Sequence, residues 1–247
     1  IEANFGTERR VLSVSFRGRG ASDRANPDSY RPQVEAADTL AVLQHLGISR
    51  AVAIGTSRGG IVSMVMHAMA PHILAGVIFN DIGPAIMPEG LLRISGYLGK
   101  QPALSSWEDA VAALKTSNPG FEALSADDWL RFARQVYATD SRGLPVSDYD
   151  PGLAQTFPSA ADITAGRVPE LWDLFAGMSG LALGVLRGEA SDLLAPQTVT
   201  RMAEIHPGLL AATVPQRGHV PFLDEAESLS VIRAVITAAD SQARAAS

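Results

Sequence analysis

Ala51-Val52-Ala53-Ile54 leads into Gly55-Thr56-Ser57-Arg58-Gly59, which leads into Ile61-Val62-Ser63-Met64-Val65-Met66-His67-Ala68-Met69. A short apolar run, a corner of small residues and a longer apolar run describe a strand, a sharp turn and a helix, with Ser57 at the turn. A serine held there has a strained backbone, and side chains at Gly55 and Gly59 are expected to collide with the adjoining strand and helix. The pentapeptide alone arises by chance often enough that its surroundings must carry the reading.

Working outward, Arg10-Val11-Leu12-Ser13-Val14-Ser15-Phe16 reads as a buried strand ended by Arg17-Gly18-Arg19-Gly20. Pro32 sits near a first helical position. Val34, Ala37, Leu40, Ala41 and Leu46 then recur at helical spacing until Gly47 stops the helix. The strand at 51–56 follows, then a helix ending at Ala70 because Pro71 cannot continue it, then a strand at 75–79. Strand, helix and strand in such close succession predict a parallel sheet with right-handed crossovers.

From about Pro84 to about Ser179 the rhythm breaks into helical and loop-rich sequence, with candidate helices at Leu91–Leu98, Trp107–Leu114, Asp127–Tyr137 and Glu170–Phe175. This stretch reads as an inserted helical lid. Strand character returns at Leu181–Leu186 and Leu210–Val214. A closing helix is expected from Asp224, with Glu227 completing a capping box, through Leu229, Ile232, Val235 and Ile236. The tail after Asp240 is expected to fray. The resulting organisation is an α/β core at 1–83 and 180–247 with an insertion at 84–179.

The chain has 247 residues, 47% of them hydrophobic, enough for one sizeable core. A net charge of −6 with scattered basic residues argues against a nucleic-acid surface. The absence of Cys excludes a disulfide framework, a thiolate metal site and a cysteine nucleophile. No apolar stretch is long enough to span a membrane and no signal segment opens the chain, so a cytoplasmic location is the expectation. Ile1 is not an initiator Met, which points to a processed or truncated amino terminus.

A serine hydroxyl needs a base to take its proton and a third group to orient that base. Asp192 follows the strand ending at Leu186, and His219 follows the strand ending at Val214, so both fall where loops gather at the carboxyl edge of a parallel sheet. The order Ser57, Asp192, His219 is the one expected of a nucleophile elbow on such a sheet. Asp81, just after the strand at 75–79, and the nearby Glu189 are alternative acids.

With these pieces in place the chain resembles the α/β-hydrolase superfamily. The likeness rests on Phe16-Arg-Gly-Arg-Gly-Ala-Ser-Asp23, Gly55-Thr-Ser-Arg-Gly-Gly60, Asn80-Asp-Ile-Gly-Pro84, Arg187-Gly-Glu-Ala-Ser-Asp192, and Arg217-Gly-His219 followed by Pro221-Phe-Leu-Asp-Glu225. The resemblance implies a mostly parallel sheet flanked by helices, Ser57 as nucleophile, His219 as general base and then acid, and Asp192 as its orienting carboxylate. It also implies a helical cap over the acyl and alcohol pockets. Arg58 would give its backbone N–H to the oxyanion. Such proteins carry three more strands ahead of the one at 10–16 and a His-Gly loop with a second oxyanion donor. Neither is found here, so an amino-terminal segment is expected to be missing.

The resemblance makes the expected activity serine hydrolysis of a small carboxylic ester or lactone, with no cofactor. A carbon–carbon bond or enol-lactone hydrolase of aromatic catabolism is the near alternative, and a catalytically silent binding protein on the same scaffold is the alternative of another class. The cap aromatics Trp107, Trp129, Trp172 and Phe175 are the candidates for substrate contact, although residues so spaced more often serve packing. His45, His67, His72 and His206 form no metal-binding pattern, and no metal is expected. Arg17, Arg19 and Arg24 either tie their loop to backbone carbonyls and Asp23 or, near a pocket, meet a substrate carboxylate. The expected partner is a small molecule, with neither nucleic acid nor a membrane span. A homo-oligomer is compatible with the composition.

Overall fold

The computed structural model describes residues 1–246. In chain order the elements are α1 (Glu2–Phe5), α2 (Pro32–His45), β1 (Ala51–Thr56), α3 (Arg58–Met69), β2 (Leu74–Asn80), α4 (Pro88–Tyr97), α5 (Trp107–Ser117) and α6 (Ala126–Val136). They continue with β3 (Tyr137–Thr139), β4 (Pro145–Ser147), α7 (Ala160–Thr164), α8 (Trp172–Ala176), β5 (Ala182–Gly188), α9 (Pro196–Ile205), β6 (Leu210–Val214) and α10 (Ala226–Ala246). The main sheet is parallel with order β1-β2-β5-β6, and helices cover both faces.

The inner strands are apolar from Leu74 to Phe79 and from Ala182 to Leu186, as a sheet covered on two sides requires. Val77, Phe79, Leu183 and Val185 face the layer of α2 and α3, where Leu43, Val62 and Met66 meet them. Alternate residues Ile78, Ala182 and Leu186 face α10 through Val231, Ile232 and Val235. Burying each such large side chain contributes about 1.5–3 kcal/mol. Two glycines let α10 lie close. A Cβ on Gly184 would stand 2.8 Å from a Val235 methyl, and one on Gly76 would stand 3.2 Å from the other.

The strand expected at 10–16 does not form: residues 11–16 carry no ladder hydrogen bonds to β1. Between them and β1 lies a cavity of about 660 Å³, lined by Val11, Leu12, Val14, Ala53, Leu43 and Val62 among others. An apolar alternating run becomes a strand only where a neighbour supplies backbone partners, and β1 supplies none to this one. Leu12 and Val14 are left exposed.

The segment between β2 and β5 contains five helices and also the antiparallel β3–β4 hairpin, whose polar and Pro-containing strands are only three residues each. It packs in two places. α5 and α6 enclose their own aromatic cluster, whereas Ile163, Phe175 and Met178 belong to the main core beside α3. The last helix differs at both ends from its expected form. Glu225, not an Asp224–Glu227 box, takes the N–H groups of Phe222 and Leu223 and the Ser228 hydroxyl at its start, and helix continues past Asp240 to Ala246.

Candidate active site

β1 ends at Thr56 and α3 begins at Arg58, leaving Ser57 as the single residue of the corner. Its backbone stands at φ 47°, ψ −117°, a conformation that costs a side-chain-bearing residue about 1–3 kcal/mol. Two hydrogen bonds hold it there: Ser57 N–H donates to Asn80 O at 3.0 Å, and Gly60 N–H donates to Ser57 O at 2.9 Å. A Cβ on Gly55 would lie 2.5 Å from Gly60 N, and one on Gly60 would lie 2.3 Å from an Ile82 methyl. Gly59 differs from expectation. A Cβ there meets nothing within 4 Å, so the helix-side constraint falls on Gly60 instead.

The Ser57 hydroxyl donates to His219 Nε2 at 3.0 Å, and His219 Nδ1 donates to Asp81 Oδ2 at 2.8 Å. A carboxylate only accepts, so the proton between His219 and Asp81 sits on Nδ1 and the Nε2 lone pair faces the serine. Asp81 is completely buried at the carboxyl end of β2. Its oxygens are supplied with donors: Gly188 N–H reaches Oδ1 at 2.8 Å and Ser191 Oγ–H reaches Oδ2 at 2.7 Å.

The structure therefore corrects the expectation for Asp192. Its carboxylate is gripped at both oxygens by Arg93, at 2.6 and 2.8 Å, and does not touch the histidine. Burial pushes the Asp192 carboxyl up, but the Arg93 hydrogen bonds and charge outweigh it and hold the group below the usual carboxylate range. The topology explains the exchange. β2 lies directly beside β1, so a residue just past its end stands next to Ser57, whereas Asp192 lies farther along the loop beyond β5. Glu189, the other alternative, accepts from Gln216 N–H at 2.9 Å.

A model of the alpha/beta hydrolase family matches residues 3–230. The chain belongs to this family. It is 29% identical over 225 residues to a 3-hydroxybutyrate-oligomer hydrolase of Cupriavidus necator, covering 88% of this chain and 76% of that protein. Among solved structures, an alpha/beta hydrolase from Novosphingobium aromaticivorans is 37% identical with a TM-score of 0.81, covering 91% of this chain and 78% of that one. An esterase from Mycobacterium tuberculosis, 20% identical with a TM-score of 0.66 over 92% of this chain and 74% of that one, shares the fold.

In this hydrolase Arg58 opens α3, where backbone N–H groups have no intrahelical acceptor and the helix dipole favours negative charge. Its side chain is occupied elsewhere, donating to the buried Glu35 carboxylate and to Tyr30 O, each at 2.7 Å. Arg17 pairs with Asp38 at 2.7 and 2.8 Å rather than with Asp23.

Trp107, Trp129, Trp172 and Phe175, the candidates for substrate contact, are engaged in packing. Trp129 is buried with Phe121 and Phe132, and Phe175 is buried against Phe79. Trp107 carries the Arg134 guanidinium over its ring, and Trp172 carries that of Arg201 while donating its Nε1–H to Glu170. His67 and His206 bind the carbonyls of Gly177 and Phe175, which fastens α8 to the core. Among the described residues no three His, Asp or Glu side chains gather as metal ligands would, and no helix is long and apolar enough to cross a membrane.

Sequence reasoning missed how the hydrolase seats His219. Gly218 packs so tightly on the insertion that a Cβ there would stand 2.1 Å from Pro119 O. Phe222 stacks on Phe121 with centroids 5.4 Å apart. Behind the loop, Glu225 takes the Arg217 Nε–H at 2.9 Å besides the donors already named. Burial raises the Glu225 carboxyl, but these donors overcome it and leave the group below its ordinary value. The signal in the sequence was the Arg-Gly-His-x-Pro-Phe-x-x-Glu run itself, whose Gly and Glu had no evident use until their partners were known.

Proposed function

We propose that this hydrolase cleaves a small carboxylic ester or lactone through an acyl-enzyme on Ser57. His219 Nε2 takes the hydroxyl proton as Ser57 Oγ attacks the carbonyl carbon, and the negative oxygen turns toward the Arg58 backbone N–H. When the tetrahedral intermediate collapses, His219 returns the proton to the leaving alkoxide. Water then repeats the sequence, its proton passing to His219 and back to Ser57, and the acid departs. Asp81 holds the ring in the required tautomer and stabilises the imidazolium, the role first expected of Asp192.

The single observation that carries this reading is the unbroken relay of 3.0 and 2.8 Å from Ser57 through His219 to Asp81. The resemblance to a hydrolase of 3-hydroxybutyrate oligomers supports an ester as the bond cleaved. Residues 84–179 act as the cap over the acyl and alcohol groups, anchored to the histidine loop through Pro119 and Phe121. A fluorophosphonate probe is expected to label the wild type and not Ser57→Ala, and p-nitrophenyl butyrate to be turned over by the wild type alone. A folded wild type that neither reacts with the probe nor cleaves the ester would overturn the assignment.

A further inference from the structure

The loop beyond β5 meets the relay through Ser191, not through Asp192. Ser191 Oγ–H donates to Asp81 Oδ2 at 2.7 Å, the same oxygen that receives the His219 Nδ1–H at 2.8 Å. Both Ser191 and Asp81 are buried, so the contact is made in the interior.

The direction of the hydroxyl is fixed by its other partners. A serine hydroxyl has one proton to give and two lone pairs to receive. Leu193 N–H and Leu194 N–H both donate to Ser191 Oγ, at 3.2 and 3.0 Å. With both lone pairs taken, only the proton remains, and the carboxylate oxygen is the acceptor it meets. Rotating the hydroxyl would set its proton against one of those two N–H groups.

The loop that carries Ser191 is anchored independently of this contact. Arg187 donates to Leu194 O at 2.8 Å and to Glu189 O at 3.1 Å, which draws the two ends of the turn together. Ala190 N–H donates to Arg217 O at 2.9 Å and so ties the turn to the loop of His219. A Cβ on Gly188 would stand 2.4 Å from Gly218 O, so the two backbones lie in direct contact. Asp192, the next residue, sends its carboxylate to Arg93 instead. Ser191 is therefore held in place before it acts on Asp81, as a supporting residue of a reactive group must be.

Two donors share one oxygen. Charge on Oδ2 that the Ser191 hydroxyl stabilises is no longer fully available to the His219 Nδ1–H. We propose that Ser191 is a positioning residue of the relay: its hydroxyl aligns Asp81 Oδ2 with the His219 ring and limits how strongly that oxygen draws the Nδ1 proton. The inference rests on the reading of Ser57, His219 and Asp81 as the machinery of ester hydrolysis, and it adds a fourth side chain to that machinery.

Proton NMR of protein labelled with 15N-histidine follows the His219 Nδ1–H, and turnover of p-nitrophenyl butyrate is measured on the same samples. In Ser191→Ala the Nδ1–H signal is expected to move downfield, because an oxygen with one donor fewer draws the proton more strongly. Loss of alignment should lower kcat about tenfold, the scale of a hydrogen bond to a charged group, with KM changed by no more than about twofold. Ser191→Thr, which keeps the hydroxyl, should restore both the signal and kcat. A serine that served packing alone would lower stability and leave the signal where it is. If Ser191→Ala does not fold, Ser191→Cys takes its place, since a thiol is a weak donor and the same downfield direction is expected. A signal unmoved or moved upfield in the folded variant overturns the proposal. So does an unchanged kcat, a loss confined to KM, or a Ser191→Thr protein as impaired as Ser191→Ala. The NMR reading needs no substrate, so failure of the ester-hydrolase reading would appear separately, as a wild type that cleaves no ester while the signal still responds to Ser191.

Discussion

Asp81 and His219, 138 residues apart in the chain, meet at 2.8 Å, and the carboxylate reaches the imidazole from the strand beside the one that ends at Ser57. Gly188 N–H and Ser191 Oγ–H donate to the same side chain, so three donors hold it in place in the interior.

Replacing Asp81 by Asn is expected to lower kcat by about 10⁴, because the amide favours the wrong imidazole tautomer without disturbing the packing. Asp192→Asn, which breaks the pairing with Arg93, should lower kcat by no more than about tenfold. Steady-state turnover of p-nitrophenyl butyrate compares the two. An equal loss in both variants would contradict the assignment of Asp81.

The glycines of the serine corner should separate in a stability series. Gly55→Ala and Gly60→Ala force a Cβ into contacts of 2.5 and 2.3 Å and are each expected to cost about 1–3 kcal/mol. Gly59→Ala has open space inside a helix and is expected to gain up to about 1 kcal/mol. Urea unfolding of the three variants gives the order directly.

Glu225 makes the fold sensitive to acid. Its folded-state pKa lies below the unfolded value, so its contribution is complete above about pH 4.3, the ordinary glutamate value, and is lost as pH falls through the lower folded value. Glu225→Gln should destabilise the protein by about 1–3 kcal/mol at pH 7. The gap between wild type and variant should close on acidification, which urea titrations from pH 7 down to pH 3 would follow.

Gly218→Ala tests whether the insertion seats the histidine loop. A Cβ 2.1 Å from Pro119 O cannot be accommodated without moving one backbone from the other. The expected result is a kcat about tenfold or more below wild type, since small displacements of a catalytic group are costly. Circular dichroism should still report a folded chain. Unchanged turnover would mean that the loop position does not depend on this contact.

Much of the fold was legible because local chemistry and tertiary structure agree. The apolar run at 51–56, the small-residue corner and the helix stopped by Pro71 appear as β1, Ser57 and α3. Pro32 and Gly47 likewise bracket α2. What escaped depends on partners distant in sequence. Asp81 and Asp192 both follow strands, and only the sheet order and the Arg93 guanidinium decide which one reaches the histidine. The run at 10–16 has a strand's composition but no ladder to join, and Gly59 and Gly60 exchange roles according to where Ile82 packs. α9 escaped notice because polar residues make up half of Pro196–Ile205, with Met202 alone buried.

The ladder that pairs Thr56 with Asn80 sets the separation of Ser57 and Asp81 within a single strand–helix–strand unit. The polypeptide leaves for α4 and everything that follows only after Asp81 has been placed. Remodelling between β2 and β5, by lengthening, shortening or replacement, therefore leaves the hydroxyl-to-carboxylate span untouched and bears only on how the imidazole is delivered between them. New specificities can be grafted there with little risk to the placement of Ser57 and Asp81.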